Sequence, residues 1–136
     1  MKKIINYKTA VSLSLFLLGI LTLFHVGILM GILFFDFVPL GFLWGGKMKS
    51  VSQLLNFEIV SVLTSSIFFF LLLIKSKWLN LPRLSGISKI AMWVICALFL
   101  VNTIGNLIAT NAVEKWFGVA TGLLSFLFLR IAIEKN

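Results

Sequence analysis

Four stretches of this sequence run almost free of charge: 27 residues from 9 to 35, 25 from 50 to 74, 24 from 90 to 113 and 14 from 116 to 129. About 20 apolar residues in a helix suffice to cross the hydrocarbon core of a bilayer. Backbone polar groups inside hydrocarbon must be satisfied within the segment itself, which makes such uninterrupted runs helical. The first three gaps clear the required length outright. The fourth reaches it by continuing to Ile133, with Arg130 snorkelling to the headgroups and its aliphatic stem in lipid. The predicted fold is therefore all-α, an integral membrane four-helix bundle. Its helices cover about 9–35, 51–74, 89–110 and 116–133, in a single transmembrane domain over 1–136.

Composition points the same way. With 60% hydrophobic and 12% charged residues, the chain has too little polar surface to cover a water-soluble globule of its size. The formal charge of +8 would suit a nucleic-acid binder if the cations interleaved with a polar face, but they cluster between the apolar runs. Membrane orientation accounts for them and no nucleic acid is implied.

Orientation follows from those clusters. With the N-terminus in the cytoplasm, the inner side holds nine basic residues, Lys2, Lys3, Lys8, Lys75, Lys77, Arg83, Lys89, Arg130 and Lys135, against three outside, Lys47, Lys49 and Lys115. The positive-inside rule then puts both termini in the cytoplasm of a plasma membrane, of the bacterial inner-membrane type. Aromatic anchors agree, with Tyr7, Trp78 and Trp93 near the inner boundary and Trp44 and Trp116 near the outer one. The first apolar stretch is too long for the h-region of an export signal and lacks a convincing cleavage site, so it reads as an uncleaved helix. The lone Cys96 allows no intrachain disulfide, which sets aside four-helix thiol oxidoreductases with their cysteine pairs.

Between the first two spans lies DFVPLGFLWGGKMKS, Asp36 to Ser50. It is too apolar for a free loop and too broken by Pro39, Gly41, Gly45 and Gly46 to continue a helix. It is expected to lie on the outer interface, either capping the bundle with Asp36 and Trp44 or floating Phe37, Phe42 and Trp44 among headgroups. Two small-xxx-small pairs, Gly27 with Gly31 and Gly118 with Gly122, mark faces for close helix packing, within the chain or between copies.

Glu58 is the residue hardest to explain as scaffold. A carboxylate inside hydrocarbon costs about 2.5 to 3.5 kcal/mol on insertion scales and faces a protein interior or a wet cavity. It lies roughly 10 Å below the outer end of the second helix, with Ser61 and Ser65 on its face. Asn106 and Asn102 lie roughly 6 and 12 Å below the outer end of the third helix, on one face by their i, i+4 spacing. His25 is near the midplane and Thr121 in the outer half of the fourth helix. The inner halves, IFFFLLLI from Ile67 and IAMWVICALFL from Ile90, carry no such groups. The pattern predicts an outward-facing polar pocket over an apolar floor.

Each of these residues also has a structural reading. Buried asparagines bridge membrane helices, a protonated Glu58 donating to Asn102 or Asn106 would be interhelical glue, and Asp36 is a solvated helix end. One histidine without a second ligand cluster makes a poor metal site, so His25 bonded to a carbonyl or to Glu58 is the simpler assignment. Neither metal nor cofactor is implied, and no nucleophile motif points to an enzyme.

In helix count alone the layout resembles small four-helix multidrug transporters and fluoride channels. The multidrug family carries its essential glutamate in the first helix, not the second, and the nine-to-three charge bias opposes dual insertion. Three readings remain. In the first, Glu58 is counter-charge or proton carrier in a protein that binds or transports a small solute or lipid. In the second, the chain is a non-catalytic accessory, chaperone or immunity-type subunit, as a homo-oligomer or docked by its glycine faces on a larger membrane complex. In the third, His25 and Glu58 are the proton-transfer pair of an intramembrane isomerase acting on a lipid-soluble substrate.

Overall fold

The computed structural model describes residues 4–134, all of them helical, turn or irregular, with no strand among them. Lys2, Lys3 and Lys135, which enter the orientation count, lie outside the described residues. Four helices carry the fold: α1 Tyr7–Phe34, α2 Val51–Lys75, α3 Ser85–Ile108 and α4 Ala112–Ala132. Each is long and apolar enough to cross a membrane.

Polar side chains set three of the four helix starts. The side chains of Asn6, Ser50 and Asn111 accept the backbone N–H of Thr9, Gln53 and Val113 respectively. Each satisfies a donor that the first helical turn leaves open. The Asn111 cap starts α4 at Ala112 instead of near 116, and α3 starts at Ser85, directly after a 3-10 turn at Pro82–Leu84. Both helices therefore begin one turn earlier than the charge gaps predict, because a charge in the first turn does not end a helix.

α1 packs on α2 and on α4, α3 packs most extensively on α4, and α2 meets α3 least. Lipid tails supply no hydrophobic drive between helices, so close approach and interhelical hydrogen bonds hold such a packing together. Thr22 Oγ1 donates to Ser65 Oγ at 3.0 Å between α1 and α2. Thr103 Oγ1 to Thr121 Oγ1 and Ser125 Oγ to the Cys96 carbonyl, each at 3.0 Å, join α3 to α4. A Cβ built on Gly118 would meet Leu107 Cδ2 at 3.1 Å and Asn106 Cβ at 3.3 Å, and one on Gly122 would meet Thr103 Cγ2 at 3.4 Å. These two glycines are where α4 lies against α3. Gly31 is buried under the Phe37 ring, whereas Gly27 is exposed and has no neighbour within 4 Å of a Cβ position. The Gly27–Gly31 pair thus packs no other helix within the chain.

At one end, the start of α1 and the ends of α2 and α4 come together. Arg130 does not snorkel. It is 2% exposed, its Nε donates to the Ile5 carbonyl at 3.0 Å and its Nη1 lies 2.7 Å from Glu134 Oε2. The neighbouring carboxylate and carbonyl replace the headgroups that a lipid-facing arginine would have sought. Lys75, also buried, donates to the Glu134 carbonyl at 3.2 Å. Next to this end lies the main apolar core, built around Leu18, Leu72, Met92, Ile95, Leu127 and Phe128.

At the opposite end residues 35–50 fold back over the helices. Asp36 takes a left-handed backbone conformation, φ 52°, and lets the Phe37 N–H return to the Gly31 carbonyl at 3.0 Å. A short polar side chain tolerates that conformation better than a branched one. Further on, Trp44, Gly45 and Gly46 are all left-handed, at φ 54°, 72° and 65°. Leu43, buried with Ile32 and Leu54, roots this segment in a second small core.

Candidate functional site

Two buried carboxyl side chains, Glu58 and Glu114, lie beneath that segment. Glu58, about two turns into α2, is wholly buried. Its Oε2 lies 2.7 Å from His25 Nδ1 of α1, and its Oε1 accepts the indole N–H of Trp44 at 2.9 Å. Helix periodicity brings Glu58 and Leu54 to one face at i, i+4, and both are buried. Trp44 meets the carboxylate from a left-handed backbone conformation, which costs a bulky residue roughly 1–2 kcal/mol. The hydrogen bond and the edge-on packing of its ring against Phe57, centroids 5.1 Å apart, offset that strain.

Glu114 bounds the third charge-free stretch in the sequence and would pass for a charge flanking a span. It is a wall of the site instead, 5% exposed in the first turn of α4, and its Oε1 accepts the backbone N–H of Gly45. Its other oxygen, Oε2, is buried with no hydrogen-bond partner. The signal was present in the sequence. An asparagine followed three residues later by glutamate, Asn111 and Glu114, is the spacing of a helix start. Counting on from there puts Gly118 and Thr121 on the face of Glu114, and both are buried.

Glu58 and Glu114 therefore hold neighbouring residues of one segment, the first through the Trp44 side chain and the second through the Gly45 backbone. Asn111 Nδ2 adds a bond to the Phe42 carbonyl at 3.3 Å. Under this cover a cavity of about 100 Å³ is lined by His25, Trp44, Glu58, Glu114, Asn102, Asn106 and Thr121, with Leu21, Leu43 and the rings of Phe24 and Phe117 as its apolar wall. A void of ~150 Å³ is known to hold benzene, so this one has room for a guest slightly smaller.

Of the remaining predicted residues, Asn102, Asn106 and Thr121 line this cavity, and Ser61 and Asp36 do not. Asn106 Nδ2 and Asn102 Oδ1 are 3.5 Å apart, and neither bonds Glu58. Thr121 Oγ1 is committed to Thr103 and to carbonyls of its own helix. Ser61 does not line this cavity. It donates to the Phe57 carbonyl at 2.8 Å and borders a second, larger space between α2 and α3. Asp36 lines neither space and is exposed at the end of α1.

No family model, curated protein or solved structure matches this chain. Any functional reading therefore rests on the site. Chemically, the Glu58 carboxyl is held from two other elements, with Oε2 against the His25 ring of α1 and Oε1 accepting the Trp44 indole N–H. Among the described residues no group of three or more His, Cys, Asp or Glu is placed to hold a metal ion.

Proposed function

We propose that this chain is a small multipass protein of a cell membrane that binds a small solute in a polar pocket facing away from the cytoplasm, with Glu58 as counter-charge or proton carrier. Both termini are cytoplasmic, as the charge bias requires, and residues 36–50 lie at the outer interface over the pocket. The observation that carries the reading is the burial of the Glu58 carboxyl at the edge of a cavity, bonded to His25 and Trp44. A carboxyl kept at that depth only to join helices would need no void beside it. Asn102 and Asn106 supply neutral ligands, and the apolar core below closes the pocket toward the cytoplasm.

Replacing Glu58 by Gln tests this directly. In full-length protein reconstituted into lipid nanodiscs, binding of small solutes to the pocket falls by about tenfold or more, as expected when a charge-assisted contact is lost. Unchanged binding, with unchanged pH dependence, would remove the carboxyl from the function. A second reading, an accessory subunit of a larger membrane complex, is favoured by the exposed face around Gly27, which nothing in the chain covers. Stoichiometric co-purification of a partner in mild detergent, lost on Gly27→Val, would support it.

A further inference from the structure

A second space adjoins the polar cavity and shares four lining residues with it, Leu21 among them. It measures about 360 Å³ and runs between α2 and α3 from Trp44 and Phe57 to Phe68 and Phe99. His25, Trp44 and Asn102 border both spaces. One side is polar and carries two buried carboxyl side chains, and the other is mostly hydrocarbon and aromatic. The rim of the larger space, Val60 and Leu98, is 60% and 49% exposed, on helices that cross the membrane. Of the four helix pairs that pack extensively, α2 and α3 touch least, and among the described residues no hydrogen bond joins them. The other sequential pairs, α1 with α2 and α3 with α4, are bonded through Thr22–Ser65 and Thr103–Thr121.

The charge of the site is one-sided. Only four acidic residues occur in the whole sequence, against twelve lysines and arginines, yet two of the four line the polar cavity. No lysine or arginine lines either space among the described residues. Glu134 is paired with Arg130, but Glu114 Oε2 is buried without a donor. An unpaired buried acceptor is costly, and a ligand that brings a positive donor relieves that cost. The rings of Phe24, Phe117 and Trp44 in the same wall also suit a cation.

Building on the proposed solute site, we infer that its occupant is a cationic amphiphile, an alkylammonium-type molecule that enters sideways from the membrane between α2 and α3. The ammonium head lodges in the polar cavity beside Glu114, Glu58 and Asn102. The tail lies in the groove along Phe57, Thr64 and Phe68.

Equilibrium binding of three probes to the full chain in nanodiscs decides the matter: dodecylammonium, butylammonium and dodecyl sulfate. Dodecylammonium binds once per chain and at least about tenfold tighter than dodecyl sulfate, because the acidic wall rejects an anion. Thr64→Phe, or Val60→Phe at the exposed rim, weakens dodecylammonium but leaves butylammonium unchanged, and that retained binding shows the protein is folded. Glu114→Gln weakens both ammonium probes. Equal affinity for dodecyl sulfate, or dodecylammonium binding indifferent to both groove substitutions, overturns the inference. If butylammonium still binds and is lost on Glu58→Gln, the pocket survives and only the sideways amphiphile falls. If neither ammonium responds to Glu58→Gln, both readings fall.

Discussion

Trp44 sits in a backbone conformation that disfavours it, and its indole N–H is what keeps it there. Trp44→Phe retains the ring against Phe57 but leaves Glu58 Oε1 buried without its donor, at a cost of about 1–3 kcal/mol. The thermal midpoint in detergent should fall accordingly, and an unchanged midpoint would show that the bond contributes nothing. Glu114→Gln behaves oppositely. The amide oxygen still accepts from Gly45, while a buried charge with one unpartnered oxygen is removed. The ligand-free protein is expected to melt higher even as ammonium binding weakens, the trade seen where a binding site stores unfavourable contacts. A lower midpoint would mean that Glu114 is simply structural.

The helices were legible in the sequence, but their faces were not. In water an apolar stripe marks the buried side, whereas in lipid the outer side is equally apolar. Leu18 is fully buried and Leu23 is 71% exposed, and nothing about leucine distinguishes them. Only polar and small residues broke that symmetry. Glu58, Thr121, Gly118 and Gly122 face protein, and Asn102 borders both spaces, whereas Gly27 faces outward. What stayed hidden depended on contacts between distant elements: Glu114 reaching Gly45, and Arg130 meeting Ile5 and Glu134 instead of lipid. The two glycine pairs supply a test at this scale. Gly118→Val forces branched carbons into Leu107 and Asn106 and should destabilise the α3–α4 joint by about 1–3 kcal/mol. Gly27→Val meets open space and should leave the midpoint of the isolated protein where it was. Equal effects would contradict the assigned contact between α3 and α4.

For the molecule as a whole, the charge bias and the position of the carboxyls make one joint statement. Lys47, Lys49 and Lys115 flank the end that holds Glu58 and Glu114, while Lys8, Lys75, Lys77, Arg83, Lys89 and Arg130 lie toward the other end. If the positive-inside rule governs insertion, the pocket opens away from the cytoplasm. Reporter fusions at either terminus should then give cytoplasmic signals. The apolar core around Leu72, Met92 and Phe128 would block any continuous aqueous path, so a solute that binds without a conformational change does not cross.

Thiol labelling of the cavity wall in intact cells tests the pocket and its orientation together. With Cys96→Ala removing the native thiol, Asn106→Cys places a single reactive group in the lining of the polar cavity. The account predicts that a membrane-impermeant maleimide added outside the cells labels Asn106→Cys and that dodecylammonium slows the reaction. Labelling that occurs only when the reagent is admitted to the cytoplasm, or none from either side in folded protein, would contradict an outward-facing, solute-accessible site.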